Sequence, residues 1–378
     1  MIRRSQLAAI CAAAVTAIAL STAPAHAETG MILTVPEPIA DSYIVVLQDA
    51  APDTAATLAE RYNATVTNTY RSALTGFSAT MSEADARRLA ADPAVAYVEE
   101  DGVVRVAATQ TNPPSWGLDR IDQRQGPMDN AYTYPNAGGD AEIFIIDTGI
   151  RITHDDFGGR AIWGVNTVDS NNTDCNGHGT HVAGIAGGTD HGVAKEAQLI
   201  AVKVIDCNGS GSHAGVIAGV DWVTANGGAN AVANMSLNGT FSQALHDAVL
   251  ASVAAGITYT LASGNDYGNA CNFTPAGTGI EPGAITVGPT DTSDAIAPYA
   301  NYGPCVDLYA PGVNIISTWN TGDQATQVLG GSSTAAPHAA GAAAILLTDD
   351  PSLSPAMVEA ALLSDATTIS NYLLLYID

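Results

Sequence analysis

Three short stretches of this chain hold a nucleophile, a base and a carboxylate. Gly330-Gly331-Ser332-Ser333-Thr334-Ala335-Ala336-Pro337-His338 is a tight glycine turn that delivers the Ser333 hydroxyl to the mouth of a small-residue helix. There the serine's own backbone N–H would face any oxyanion formed in front of it. A hydroxyl is a poor nucleophile by itself, so the chemistry needs a base, and the base needs a group to orient it. Asn176-Gly177-His178-Gly179-Thr180-His181-Val182-Ala183-Gly184 offers His178, placed where a glycine-flanked loop turns into a helix of small residues. Glu142-Ile143-Phe144-Ile145-Ile146-Asp147-Thr148-Gly149 offers Asp147 at the end of an apolar strand, where an acid is costly to bury unless a partner holds it. Acyl transfer assisted by a general base is the reaction such a set could perform.

Each stretch has a competing explanation. Asp-Thr-Gly after apolar residues is also how an aspartic peptidase presents a carboxylate, but that mechanism needs a second such aspartate. No second apolar Asp-Thr-Gly or Asp-Ser-Gly occurs in the chain, which leaves only a dimer to supply it. His178 and His181, three residues apart, could chelate a metal, yet no nearby carboxylate or third histidine has ligand spacing. His181 is expected to be structural.

The elements that must position these groups begin near residue 140. Apolar strands are expected at 142–147, 199–205, 231–236, 257–262 and 284–288. Helices are expected at 178–187, 212–225 with Ser212 as cap, 242–255 between Ser242 and Gly256, and 332–348, ending before Pro351. Continuous Val, Ile and Ala strands between helices imply an α/β fold whose mostly parallel sheet is covered on both faces, with ligands beyond the strands' carboxyl ends. Tyr372–Asp378 is expected to close the chain as a short strand, with no appended domain.

Ahead of this unit lies a smaller one. Residues 43–48 suit a strand, Asp53 caps a helix over 54–62, and strands follow at 64–70 and 75–81. A second helix from Ser82 to about Ala91 and a strand at 95–99 complete a split βαβ, ferredoxin-like α+β sheet of about 65 residues. A short domain before a larger one, joined by the polar tail 101–111, suggests a propeptide.

Composition narrows the partners. The 378 residues are 47% hydrophobic and 13% charged, so a sizeable core is expected. The formal net charge is −25, with six basic against 26 acidic residues from Ala108 onward. Binding to nucleic acid or to an anionic membrane is excluded, because phosphate contacts need clustered cations. Acidity of this kind serves solubility, or suits salty surroundings. At the N-terminus Arg3 and Arg4 precede an apolar run over 7–20, and Ala25-His26-Ala27 is a small-x-small cleavage site. Residues 1–27 therefore read as a signal peptide and 28–40 as a linker, for a protein that is secreted and leaves the membrane once the signal is removed. The exported part keeps four cysteines, Cys175, Cys207, Cys271 and Cys305; four allow three pairings, and none has the C-x₂-C spacing of a zinc site.

Taken together, Asp147-Thr148-Gly149, His178-Gly179-Thr180-His181-Val182-Ala183-Gly184 and Ser333-x-Ala335-x-Pro337-His338 resemble the subtilisin-like serine peptidases. The Asp, His, Ser chain order is a known attribute of that family. Thr109-Gln110-Thr111-Asn112 and Trp116-Gly117-Leu118-Asp119-Arg120-Ile121-Asp122 are similar to the mature start of its proteinase K group, aqualysin-type members above all. Residues 41–107 resemble the family's inhibitory, folding-assisting propeptide, and 108–378 its peptidase domain.

The resemblance implies a secreted serine endopeptidase with Asp147, His178 and Ser333 as triad and the Asn265 side chain in the oxyanion hole. Self-cleavage near Ala107–Ala108 would mature it. Ser236, Leu237 and Asn238 would pair with the substrate backbone, and Ala262, Ser263 and Gly264 would wall the first specificity pocket. Small residues there imply broad, apolar preference. The resemblance also implies disulfides Cys175–Cys207 and Cys271–Cys305, each worth about 3–4 kcal/mol. It implies a structural calcium ion on Asp307 and the carbonyls of Pro282 and Ala284, and no cofactor for catalysis. The partners would be polypeptide substrates and the protein's own propeptide, on a monomer. Asn238 stands where the family usually has glycine, Ser332 where it has threonine, and Thr334 where it has methionine. The rival from another class is an inactive, peptide-binding relative with the same fold.

Overall fold

The structure is a computed structural model, and it describes residues 31–35, 38–48, 53–102 and 107–377. The expected signal peptide, part of the expected 28–40 linker and part of the 101–111 joint lie outside the described residues. Those described form two compact units, one up to residue 102 and one from residue 107.

In the first unit, β1 (Ile32–Leu33) and β2 (Pro38–Leu47) precede α1 (Asp53–Arg61). Then come β3 (Thr65–Tyr70), β4 (Gly76–Thr80), α2 (Glu83–Ala90) and β5 (Val95–Gly102). Ser82 caps α2 by accepting from the Asp85 N–H. The sheet order is β1-β5-β2-β4-β3, the ferredoxin-like arrangement with the unexpected β1 added parallel to β5. Val45, Phe77, Ala79 and Val98 from the strands bury against Leu58 of α1 and Leu89 of α2.

The second unit opens with a small ribbon, β6 (Ala108–Thr111) against β7 (Ala131–Tyr134), with α3 (Trp116–Ile121) between them. After it come β8 (Glu142–Asp147), β9 (Ala161–Asn166), α4 (His178–Gly187), β10 (Gln198–Lys203), α5 (His213–Asn226), β11 (Ala231–Met235) and β12 (Gly239–Thr240). Next are α6 (Gln243–Ala254), β13 (Thr258–Ala262), β14 (Phe273–Thr274), β15 (Ala284–Thr290), β16 (Leu308–Pro311), β17 (Ile315–Thr318) and β18 (Thr326–Leu329). The chain closes with α7 (Ser332–Asp349), α8 (Pro355–Asp365), β19 (Thr367–Ile369) and β20 (Tyr372–Leu374).

Nine strands form the central sheet in the order β19-β20-β16-β15-β13-β11-β8-β10-β9. All neighbouring pairs are parallel except β19 with β20. Strand alternation sends Ile143 and Ile145 of β8 to one face, where α4, α7 and α8 cover them, and Phe144 and Ile146 to the other, beneath α5 and α6. The helix α7 can lie this close because its buried face is nearly all alanine: Ala335, Ala336, Ala339, Ala340, Ala343 and Ala344. Asp147 ends β8, and α4 and α7 begin at the same carboxyl edge of the sheet.

Candidate active site

Asp147 is completely buried at the end of β8. Its carboxylate accepts from His178 Nδ1–H through both oxygens, Oδ1 at 2.8 Å and Oδ2 at 2.9 Å, and Oδ1 also accepts from the Thr148 N–H at 2.7 Å. With Nδ1 donating, the tautomer leaves Nε2 as an acceptor. Burial works against a charge on His178, but the Asp147 carboxylate and its hydrogen bond outweigh it, and the imidazole pKa lies above its ordinary value. The side chain stays 28% exposed, open to the cleft.

A buried network holds these two residues in register. Asp174 accepts from the Thr148 hydroxyl at 2.9 Å and the Gly177 N–H at 2.8 Å with one oxygen, and from the Thr180 N–H and hydroxyl with the other. The Thr148 hydroxyl in turn accepts from the Gly179 N–H at 2.9 Å, so the Asp-Thr-Gly and His-Gly-Thr-His segments are directly linked. Gly179 is required by the closeness of that link, since a Cβ there would stand 2.2 Å from the Gly149 carbonyl oxygen. Lys203 is fully buried opposite Asp147 on β10, and its ammonium donates to the carbonyls of Thr148 and Ile205, each at 2.8 Å. Neither Asp174 nor Lys203 figures among the expected site residues. The signal for Asp174 was an acid just ahead of a helix start.

Ser333 lies in the first turn of α7, half-buried between buried Ser332 and Thr334. Pro337, four residues on, has no N–H to give the Ser333 carbonyl, and the Ser236 hydroxyl donates there instead at 2.8 Å. Ser236 is itself buried and accepts from Asn234 Nδ2 at 2.9 Å, so it supports the Ser333 backbone from the end of β11. Asn265 is exposed just beyond β13. Its Oδ1 accepts from the Ser332 N–H at 2.9 Å, which frees Nδ2. A Cβ added at Gly331 would lie 3.0 Å from Asn265 Nδ2 and 3.4 Å from Ser333 Oγ, so both polar atoms border one small space kept clear by a glycine at φ +143°.

A cleft of about 480 Å³ opens beside Asp147 and His178. Ser236, Leu237, Asn238 and Gly239 line it, and the segment 209–213, unanticipated from the sequence, lines it as well. Ala262, Ser263 and Gly264 do not line this space. Gly264 backs onto Asn238, and Asn238 Nδ2 donates to Asp266 at 2.6 Å. Cys175 is bonded to Cys207 and Cys271 to Cys305, closing sequence separations of 32 and 34 residues. His181 is buried, donates from Nε2 to the Gln327 carbonyl at 3.0 Å, and burial pushes its pKa down to about 4. It is a neutral structural group, as is His338, which donates from Nδ1 to the Thr334 carbonyl at 2.9 Å and is pushed by burial to about 4.

Among the described residues no three His, Cys, Asp or Glu side chains are grouped to hold a metal. Asp307 is nonetheless short of a positive partner. Burial raises its carboxyl to about 8 against the hydrogen bond from the Thr286 N–H, and the Glu359 charge adds to the effect. Glu359, which accepts from the Gly283 N–H, is raised by its own burial. Two half-buried acids whose charging is disfavoured are the feature here that would suit a hard cation, the calcium ion expected on Asp307 with the carbonyls of Pro282 and Ala284.

Residues 138–374 match the model of the Subtilase family, and residues 42–107 that of Peptidase inhibitor I9. The chain is similar to an extracellular serine proteinase of Thermus sp. (strain Rt41A), 47% identical over 306 residues that cover 80% of this chain and 74% of that protein. It is 42% identical over 351 residues to alkaline serine exoprotease A of Vibrio alginolyticus, covering 87% of this chain and 65% of that protein, a little under two thirds of its length. Among solved structures it is similar to a cold adapted subtilisin-like serine proteinase, with 43% identity and a TM-score of 0.66 over 69% of this chain and 97% of that one.

Proposed function

This chain belongs to the subtilase family, and from that premise we propose that Asp147, His178 and Ser333 are the groups with which it breaks peptide bonds. It is a serine-type peptide hydrolase with an inhibitor I9 segment ahead of its catalytic unit. The observation that carries the assignment of residues is the imidazole of His178, fixed by both oxygens of a buried aspartate at the strand edge where α7 presents Ser333.

The Ser333 hydroxyl attacks a substrate carbonyl carbon while Nε2 of His178 takes its proton. The resulting oxyanion is met by the Ser333 backbone N–H and Asn265 Nδ2. The tetrahedral species collapses, His178 returns the proton to the leaving amine, and the acyl group stays on Ser333. A water molecule, deprotonated by His178, then attacks the ester and releases the acid. Asp147 keeps Nδ1 protonated throughout and stabilises the imidazolium. No cofactor enters these steps; calcium on Asp307 would act on stability alone.

The substrate is an extended polypeptide, its backbone pairing with Ser236–Asn238 as a peptide pairs with an exposed strand edge, and its preference is broad and apolar. The protein is secreted after cleavage behind Ala27, and its 41–107 segment inhibits the enzyme until self-cleavage near Ala107–Ala108. Among the described residues no helix is long and apolar enough to cross a membrane. Expression of Ser333→Ala should accumulate unprocessed precursor, while the parent yields a mature form that clears casein in a zymogram and is silenced by a sulfonyl fluoride. Normal maturation of Ser333→Ala, or a parent that clears no casein, would overturn the proposal.

A further inference from the structure

Asn265 sits on a turn that the chain would not adopt unaided. Gly264 before it has φ +97°, and Tyr267 after it is held at φ +49°, a conformation that a bulky side chain disfavours. Something outside the turn must hold it, and the segment Tyr299–Cys305 does so. Asn301 is completely buried. Its Oδ1 accepts from the N–H groups of Asp266 and Gly268, each at 2.9 Å, so one side-chain oxygen closes the turn on the C-terminal side of Asn265. Its backbone N–H donates to the Gly264 carbonyl at 3.0 Å and closes the turn on the other side. The Tyr267 N–H donates to the Tyr299 carbonyl at 3.0 Å, and the Tyr302 N–H to the Gly268 carbonyl at 2.9 Å. Cys271–Cys305 then joins the two segments covalently. The amide orientation follows from its partners, since only an oxygen can accept from two N–H groups; Nδ2 is left buried with no partner. The unpaired donor costs stability, so what this side chain contributes lies in the two hydrogen bonds that its oxygen accepts from the turn.

We propose that Asn301 is a positioning residue for the oxyanion donor: its Oδ1 and backbone N–H, anchored by Cys271–Cys305, set where Asn265 Nδ2 stands relative to Ser333. The inference rests on Asn265 being that donor. A slackened turn leaves substrate binding intact and misplaces a group that acts only in the transition state, so kcat falls and KM does not.

A double-mutant cycle on the secreted, processed enzyme tests this with a peptide anilide substrate. Asn301→Leu, similar in volume but unable to accept, should lower kcat about 10- to 100-fold with KM changed less than about twofold. Asn301→Asp keeps the acceptor oxygen and should restore most of the loss. In an Asn265→Ala background, Asn301→Leu should cost almost nothing further, because the group it positions is gone. Additive effects in the cycle, or a lowered melting temperature with unchanged kcat, would overturn the role of Asn301. Asn265→Ala with unchanged kcat would instead overturn the reading of Asn265. If the leucine variant is not secreted, the cycle is run with Asn301→Ser, whose shorter hydroxyl cannot reach both N–H groups, and the same outcomes decide it. Cys271→Ser with Cys305→Ser should also lower kcat while sparing KM; an unchanged kcat removes the disulfide from the proposal.

Discussion

The Asp147 carboxylate meets His178 Nδ1 with both oxygens, at 2.8 and 2.9 Å, from a position with no exposure to solvent. A buried carboxylate so placed sets both the tautomer and the basicity of the imidazole. Asp147→Asn should lower kcat about 10⁴-fold, because the amide can no longer select the reactive tautomer. Catalysis needs neutral His178, so activity is lost as pH falls through a pKa that the carboxylate has raised. The acid limb of kcat/KM should lie above pH 6.5 in the parent and move downward in Asp147→Asn, read from a pH–rate profile.

Gly331 keeps the space between Asn265 Nδ2 and Ser333 Oγ free of carbon. Gly331→Ala should lower kcat by about 100-fold or more, since a misplaced donor forfeits most of its transition-state interaction. A side chain at this positive φ, which glycine alone tolerates, should also lower stability by about 1–3 kcal/mol. Steady-state kinetics and thermal melting of the secreted variant check both.

Asp307 ties stability to pH. Its folded-state pKa of about 8 exceeds the roughly 3.9 of an unfolded aspartate, so between those values the native state binds more protons than the unfolded chain. Its contribution to stability is therefore full below about pH 4 and lost as pH rises through about 8. A cation on the carboxylate should cancel this loss. Chelation should lower the melting temperature of the sulfonyl-fluoride-inhibited enzyme at pH 8 and leave it nearly unchanged at pH 5. Equal sensitivity at both pH values would count against the site.

Thr334 puts a hydroxyl beside the nucleophile, donating to the Gly331 carbonyl at 2.8 Å. No thioether stands next to Ser333 to be oxidised, so the parent should keep its activity in hydrogen peroxide at concentrations that inactivate Thr334→Met. Residual activity after timed exposure is the measurement.

Long apolar runs made the sheet legible: β8, β10, β11 and β15 fall where Val, Ile and Ala cluster, and β13 where Thr, Tyr and Leu, residues suited to strands, follow one another. The strand β9 was missed because Gly164 interrupts it, and the structure shows why glycine is there: a Cβ would strike the Trp222 ring. β16 was hidden by shortness and by Pro311 at its end, and α3 by its six residues. For α8 a signal existed in Ser354-Pro355, a cap followed by proline at the first helical position. Asp147, His178 and Ser333, the residues proposed for catalysis, stand out through glycine-rich surroundings that no ordinary helix or strand would choose. Asn301 does not, because its purpose arises only when two segments separated by more than thirty residues meet.

The Cys175–Cys207 bond joins the loop leading into the His178 helix to the loop that becomes the cleft rim at 209–213. Evolution and protein engineers can therefore treat that rim as a replaceable cassette. New side chains grafted between Cys207 and the start of α5 would change what lines the cleft, while the covalent clamp keeps the near end of that rim tied to the loop entering the His178 helix.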